Sequence, residues 1–175
     1  MPDNVDAVVF YFHGSSQSFS FYDKNTSNWA QDKDGNSLKF TIGDISSLQN
    51  KNVKLFVSMA CLTGQTGITN SATGKVQNMA TELIRNISGI QNLIAADANV
   101  ATNIISKTIT KTFLGIPIYS YKKSYVSITT TKPTNAQGFK LYTRNSTGEI
   151  ITSSVGGYGY KFQGITDIIN TALKK

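Results

Sequence analysis

Val53 to Gly64 reads VKLFVSMACLTG, eight residues of apolar and β-branched character running into a cysteine and a short Gly-closed loop. A run of that length, bounded by turn residues and without polar alternation, reads as a strand covered on both faces. Two other stretches have the same character. Val5 to Phe12 (VDAVVFYF) ends at His13-Gly14-Ser15-Ser16, and Ile90 to Ala96 (IQNLIAA) ends at Asp97. Helical segments separate the last two strands: Val76, Met79, Ala80, Leu83, Ile84 and Ile87 recur at helical spacing, with Gly89 as the stop. Before the central strand, Asp44 suits the N-cap of a short helix over Ile45 to Leu48. Strands alternating with helices predict a mainly parallel central sheet with helices on both faces, at strands 5–12, 53–60 and 90–96.

Beyond Asn99 the pattern changes. Ile104 to Lys111 and Tyr119 to Thr130 alternate, and Phe139 to Arg144 faces Glu149 to Ser153 across Asn145-Ser146-Thr147-Gly148. These read as a C-terminal antiparallel hairpin region. A last amphipathic helix carries Ile165, Ile168, Ile169, Ala172 and Leu173, and Gly156 to Tyr160 reads as a loop rather than a phosphate-binding turn. No repeat or linker interrupts the chain, so 1–175 reads as one domain.

The 175 residues hold one cysteine and one histidine. An intramolecular disulfide and a Cys/His zinc site are therefore excluded, and no cofactor is expected. No apolar run approaches the ~20 residues of a membrane-spanning helix. The N-terminus lacks the basic segment of a signal peptide, which points to a reducing compartment or a module of a longer chain. Seventeen Lys and Arg against ten Asp and Glu give a net charge of +7. The basic residues are scattered and no aromatic-interleaved RNA motif accompanies them, so nucleic acid is not the expected partner.

The two singular residues occupy equivalent places, each just past a strand that reads as buried, where open parallel sheets gather their ligands. Cysteine catalysis needs a thiolate, a base to take and return its proton, and donors for an oxyanion. His13 can serve as base to Cys61, and the backbone N–H groups of Gly14 and Cys61 can serve as donors.

The words around these residues resemble the caspase-like superfamily of cysteine peptidases. Phe12-His13-Gly14 is similar to its strand-then-His-Gly element, and Val57-Ser58-Met59-Ala60-Cys61-Leu62-Thr63-Gly64 resembles the "S-A-C-x-T-G" word of the CHAT branch, which includes separase-like peptidases. Phe40 to Leu48 resembles the segment leading into it, and Leu93 to Asp97 a strand of caspase-like domains at the ends of large bacterial toxins. Met59 departs from the small residue usual there, and the region beyond residue 100 does not align. The resemblance implies an α/β three-layer sandwich and a His13–Cys61 dyad without an obligatory third member. It also implies an oxyanion hole from Gly14 and Cys61, and a substrate-binding role for Asp97 at the mouth of the third strand, where a carboxylate would receive a basic side chain.

The function so implied is a cysteine endopeptidase, a bacterial effector or toxin module acting in the cytoplasm of the producing or target cell. Its partners would be a protein or peptide substrate, and a cognate immunity protein or a parent toxin chain. Two alternatives stay open: a basic toxin domain that binds or cuts nucleic acid, with His13 at a metal-free RNase centre, and a caspase-like binding module with a dead site.

Overall fold

The computed structural model describes residues 4–23, 25–71, 73–131, 138–155 and 161–173. Twelve strands and three helical segments follow in chain order. Strands β1 (Asn4–Phe10), β2 (His13–Gly14), β3 (Ser18–Ser20), β4 (Tyr22–Asp23), β5 (Asn28–Trp29) and β6 (Lys39–Thr41) precede a 3-10 helix, Ile42–Leu48. Then come β7 (Asn52–Ser58), α1 (Met79–Asn86), β8 (Asn92–Ala96), β9 (Asn99–Phe113), β10 (Ile116–Thr131), β11 (Phe139–Arg144), β12 (Ile150–Val155) and α2 (Ile165–Leu173).

Five strands form the central sheet in the order β1-β7-β8-β11-β12. The β1–β7 and β7–β8 pairings are parallel, whereas β8–β11 and β11–β12 are antiparallel. The expected mainly parallel sheet is thus corrected to an evenly mixed one, in a mixed α/β fold dominated by strands. The cause lies in the connection after β8. A parallel neighbour requires a crossover that carries the chain back along the sheet. Here β9 and β10 leave and return as one hairpin, registered from Asn99↔Thr131 to Phe113↔Ile116. The chain therefore re-enters at the end it left, Phe139 pairs with Ala96, and β11 runs backwards along β8.

Period-two alternation in β7 and β8 divides the core between two faces. Phe56, Leu93 and Ala95 pack with Met79, Leu83 and Ile84 of α1 and with Ile45 of the 3-10 helix. Leu55, Val57, Ile94 and Ala96 point the other way, with Phe139, Leu141, Phe162 and the α2 residues Ile168 and Ala172. The two helices therefore cover opposite faces. Strand β1 differs from expectation. It is the edge of the sheet, flanked by a single neighbour, and Asn4, Asp6 and Ala7 are exposed while Val5, Val8, Val9 and Phe10 are half-buried.

Two helix starts also move. Asn78 caps α1, its side chain accepting from the Thr81 N–H at 2.9 Å, so the helix begins at Met79 and Val76 stays exposed outside it. The 3-10 helix begins earlier than Asp44, at Ile42. Thr41 is its N-cap, and the Asp44 carboxylate accepts from the Thr41 N–H at 2.8 Å and its hydroxyl at 2.7 Å. The predicted loop at Gly156 to Tyr160 lies outside the described residues. Among the described residues, no helix is long and apolar enough to cross a membrane.

Candidate functional site

Strands β1 and β7 run parallel and stop together, Phe10 pairing with Ser58, so the loops that follow emerge at the same end of the sheet. The Met59 N–H donates to the Phe10 carbonyl at 2.7 Å and holds the two exits together. His13 and Gly14 follow the first exit as β2, and Cys61 follows the second.

Gly14 shows how tightly these loops meet. A Cβ placed on it would lie 2.6 Å from the Ala60 Cβ, 3.0 Å from a Thr63 methyl and 3.1 Å from the Cys61 carbonyl oxygen. Only a residue without a side chain permits that approach. The residue after the histidine is therefore in contact with the cysteine loop itself. His13, Cys61, Tyr11, Tyr22, Met59 and Val100 are among the residues lining one cleft of about 470 Å³.

The cysteine loop is fixed from several sides. The Ser58 and Thr63 hydroxyls lie 2.8 Å apart, Thr63 Oγ1 donates to the Ala60 carbonyl at 3.2 Å, and Thr63 is fully buried. The Leu62 and Gly64 N–H groups donate to the Ala98 and Ala96 carbonyls at 3.0 and 2.8 Å. Leu62 adopts φ 61°, a left-handed conformation costly for a side chain of its size. The turn thus holds strain immediately after Cys61. Helix α1 ties both loops at once: its Met79 N–H donates to Ser16 O at 2.7 Å and its Ala80 N–H to Thr63 O at 3.0 Å.

The cysteine is partly buried, and its Sγ accepts from the Val100 N–H at 3.3 Å. The same thiol can donate to the Val100 carbonyl oxygen at 3.9 Å, so both backbone groups of Val100 face the sulfur. Among the described residues, the Cys61 N–H has no acceptor within the chain. The imidazole of His13 is exposed and rests against the Trp29 ring at 4.9 Å and 79°, with Tyr22 at 6.2 Å. Tyr22 and Trp29 are directly opposed in the β4–β5 ladder, their rings edge-on at 5.9 Å. This short hairpin forms an aromatic bracket beside the imidazole. Among the described residues, the imidazole has no hydrogen bond or ion pair, which leaves both nitrogens available.

Asp97 stands apart. The structure does not bring its carboxylate to the cleft lining. Buried, it accepts from the Gly138 N–H at 2.9 Å and pairs with the equally buried Lys140 ammonium at 3.2 Å. Nearby, the Tyr142 hydroxyl donates to the Gly64 carbonyl at 3.1 Å. Burial and the Asp97 charge push the Tyr142 phenol well above its ordinary range. Tyr142 thus ties its strand to the end of the cysteine loop.

The sequence reading missed Trp29 and Val100. Trp29 lies in what reads as a polar connection, and its only signal is a lone tryptophan beside a turn-rich segment shortly after the histidine. Val100 is a β-strand residue whose backbone, not its side chain, meets the thiol, so no residue type marks it. Among the described residues, no cluster of three or more His, Cys, Asp or Glu side chains could hold a metal ion.

No protein-family model matches the chain, and no curated protein or solved structure matches it significantly.

Proposed function

We propose that the chain is a cysteine endopeptidase in which His13 and Cys61 form the dyad. The observation that carries this reading is the contact of Gly14 with Ala60 and Cys61, which sets the only histidine and the only cysteine on one cleft. In the reaction, His13 takes the Cys61 thiol proton and the thiolate sulfur attacks the scissile carbonyl carbon. The N–H groups of Gly14 and Cys61 receive the oxyanion. Collapse breaks the C–N bond as His13 returns the proton to the leaving amine. Water, deprotonated by His13, then hydrolyses the thioester and frees the thiol.

Among the described residues, the cleft lining contains no carboxylate. Its aromatic and aliphatic walls suit an uncharged side chain better than the basic one that an acidic pocket would select. The caspase-like resemblance, and with it a role as effector or toxin module, accords with this reading.

The test is cleavage of a proteome-derived peptide library by the wild type, Cys61→Ala and His13→Ala. Cuts that vanish in both variants while circular dichroism stays unchanged are expected, with apolar or aromatic residues preceding the cut bond. An undiminished digest by Cys61→Ala would remove the thiol from the mechanism.

A further inference from the structure

Strands β9 and β10 make a two-stranded arm of about 50 Å, at ~3.3 Å per residue, that the central sheet does not share. Its base is tied down by Val100 at Cys61, by Thr102 Oγ1 at 2.7 Å from the Tyr11 hydroxyl, and by Ile128 bridging Phe162. Residues 111–124 are all exposed. The turn at Leu114-Gly115, with φ of 48° and 80°, has both central residues left-handed, as tight hairpins require.

Exposed apolar residues are concentrated at the tip. Phe113, Leu114, Ile116 and Ile118 are 64–87% exposed. Moving back along the arm, Tyr119 lies opposite Lys111 and Tyr121 opposite Ile109, with the two tyrosine rings stacked at 6.2 Å. Further back, Lys122 and Lys123 follow, with Lys107 opposite Lys123. The opposite face carries paired hydroxyls, Ser106 with Ser124 and Thr110 with Ser120. Residues 99–131 contain four lysines and no Asp or Glu.

We infer that the tip of this arm inserts into one leaflet of an anionic lipid bilayer. Along the axis come the apolar end, then the tyrosines with Lys111 beside the first of them, then Lys107, Lys122 and Lys123, in the sequence of hydrocarbon, headgroup interface and phosphate layer. The distances agree. Leu114 lies about 10 Å from the first tyrosine and about 20–23 Å from the lysine pair, against a hydrocarbon leaflet of about 15 Å. A protein groove would take one face of a ribbon, whereas here Leu114, 87% exposed, projects from the turn at the very end of the arm. The absence of any carboxylate removes repulsion from acidic lipid. This inference does not depend on the dyad.

Flotation of the 175-residue chain with vesicles tests it. Vesicles of phosphatidylcholine with roughly one-third phosphatidylserine should carry the wild type, and phosphatidylcholine alone should carry about tenfold less. Leu114→Asp, at a fully projecting turn position, should lower anionic-vesicle binding roughly tenfold or more, and Lys122→Gln/Lys123→Gln should weaken its salt dependence. Folding is checked by circular dichroism, and the substituted side chains have no core contacts to lose. Failure to float with anionic vesicles, or equal flotation of Leu114→Asp, overturns the inference. A wild-type dimer that Leu114→Asp dissociates, without vesicle binding, assigns the tip to a second copy of the chain and overturns it equally.

Discussion

At the scale of single residues, Gly14 and the Asp97–Lys140 pair carry the account. A methyl group on Gly14 cannot fit without displacing Ala60 and the Cys61 carbonyl. Gly14→Ala is expected to cost about 1–3 kcal/mol of stability through overpacking and to lower kcat/KM more than the stability loss alone would suggest. A thermal melt and peptide hydrolysis measured on one preparation check both; an active, equally stable variant would show that the loops can part freely. The ion pair makes an opposite kind of statement. Both groups are buried, so removing one leaves the other uncompensated in the interior. Asp97→Asn should destabilise by about 3–5 kcal/mol, and adding Lys140→Met should restore part of it. Urea unfolding distinguishes this from a binding role, in which Asp97→Asn would leave stability alone and change peptide preference.

At the scale of elements, the tie between Tyr142 and the cysteine loop has a pH signature. Burial and the Asp97 charge raise the Tyr142 phenol above its ordinary value, so the folded chain holds that proton more tightly than the unfolded one. Its contribution is fully present below about pH 10 and is lost as pH rises beyond it. The unfolding midpoint should therefore fall above pH 10 in the wild type. Tyr142→Phe should flatten that decline while lowering stability at neutral pH by about 1–3 kcal/mol, the cost of leaving the Gly64 carbonyl without its donor. Identical alkaline slopes in the two proteins would mean that another group governs the transition.

The elements also show which features the sequence made legible. The parallel core of β1, β7 and β8 follows from three apolar runs, and their ends account for His13 and Cys61 emerging together. The antiparallel half was harder to read, because Phe139 to Arg144 looks the same whether it joins the main sheet or stands in a separate hairpin. What decides is where the long β9–β10 excursion returns the chain, a matter of register and not of residue type. That one arm also absorbs both alternating stretches that follow Asn99. Asn78 and Thr41 were readable as caps in principle, but periodicity drew α1 back to Val76 and the Asp44 side chain drew the shorter helix forward. Trp29 and the Val100 N–H depend on tertiary placement alone.

At the scale of the whole molecule, a mixed five-stranded sheet with a helix on each face presents two loops at one end, and a long basic arm rises from beside the same cleft. Each half of that arrangement has its own test, and the dyad is the central claim. The direct measurement is the rate at which a peptidyl acyloxymethyl ketone modifies Cys61, followed by intact mass, in the wild type, in His13→Ala and in the urea-unfolded chain. General-base participation contributes roughly a hundredfold or more. The account predicts a single adduct on folded wild type, formed about a hundredfold faster than on His13→Ala or on the unfolded chain. Equal rates in all three would contradict it.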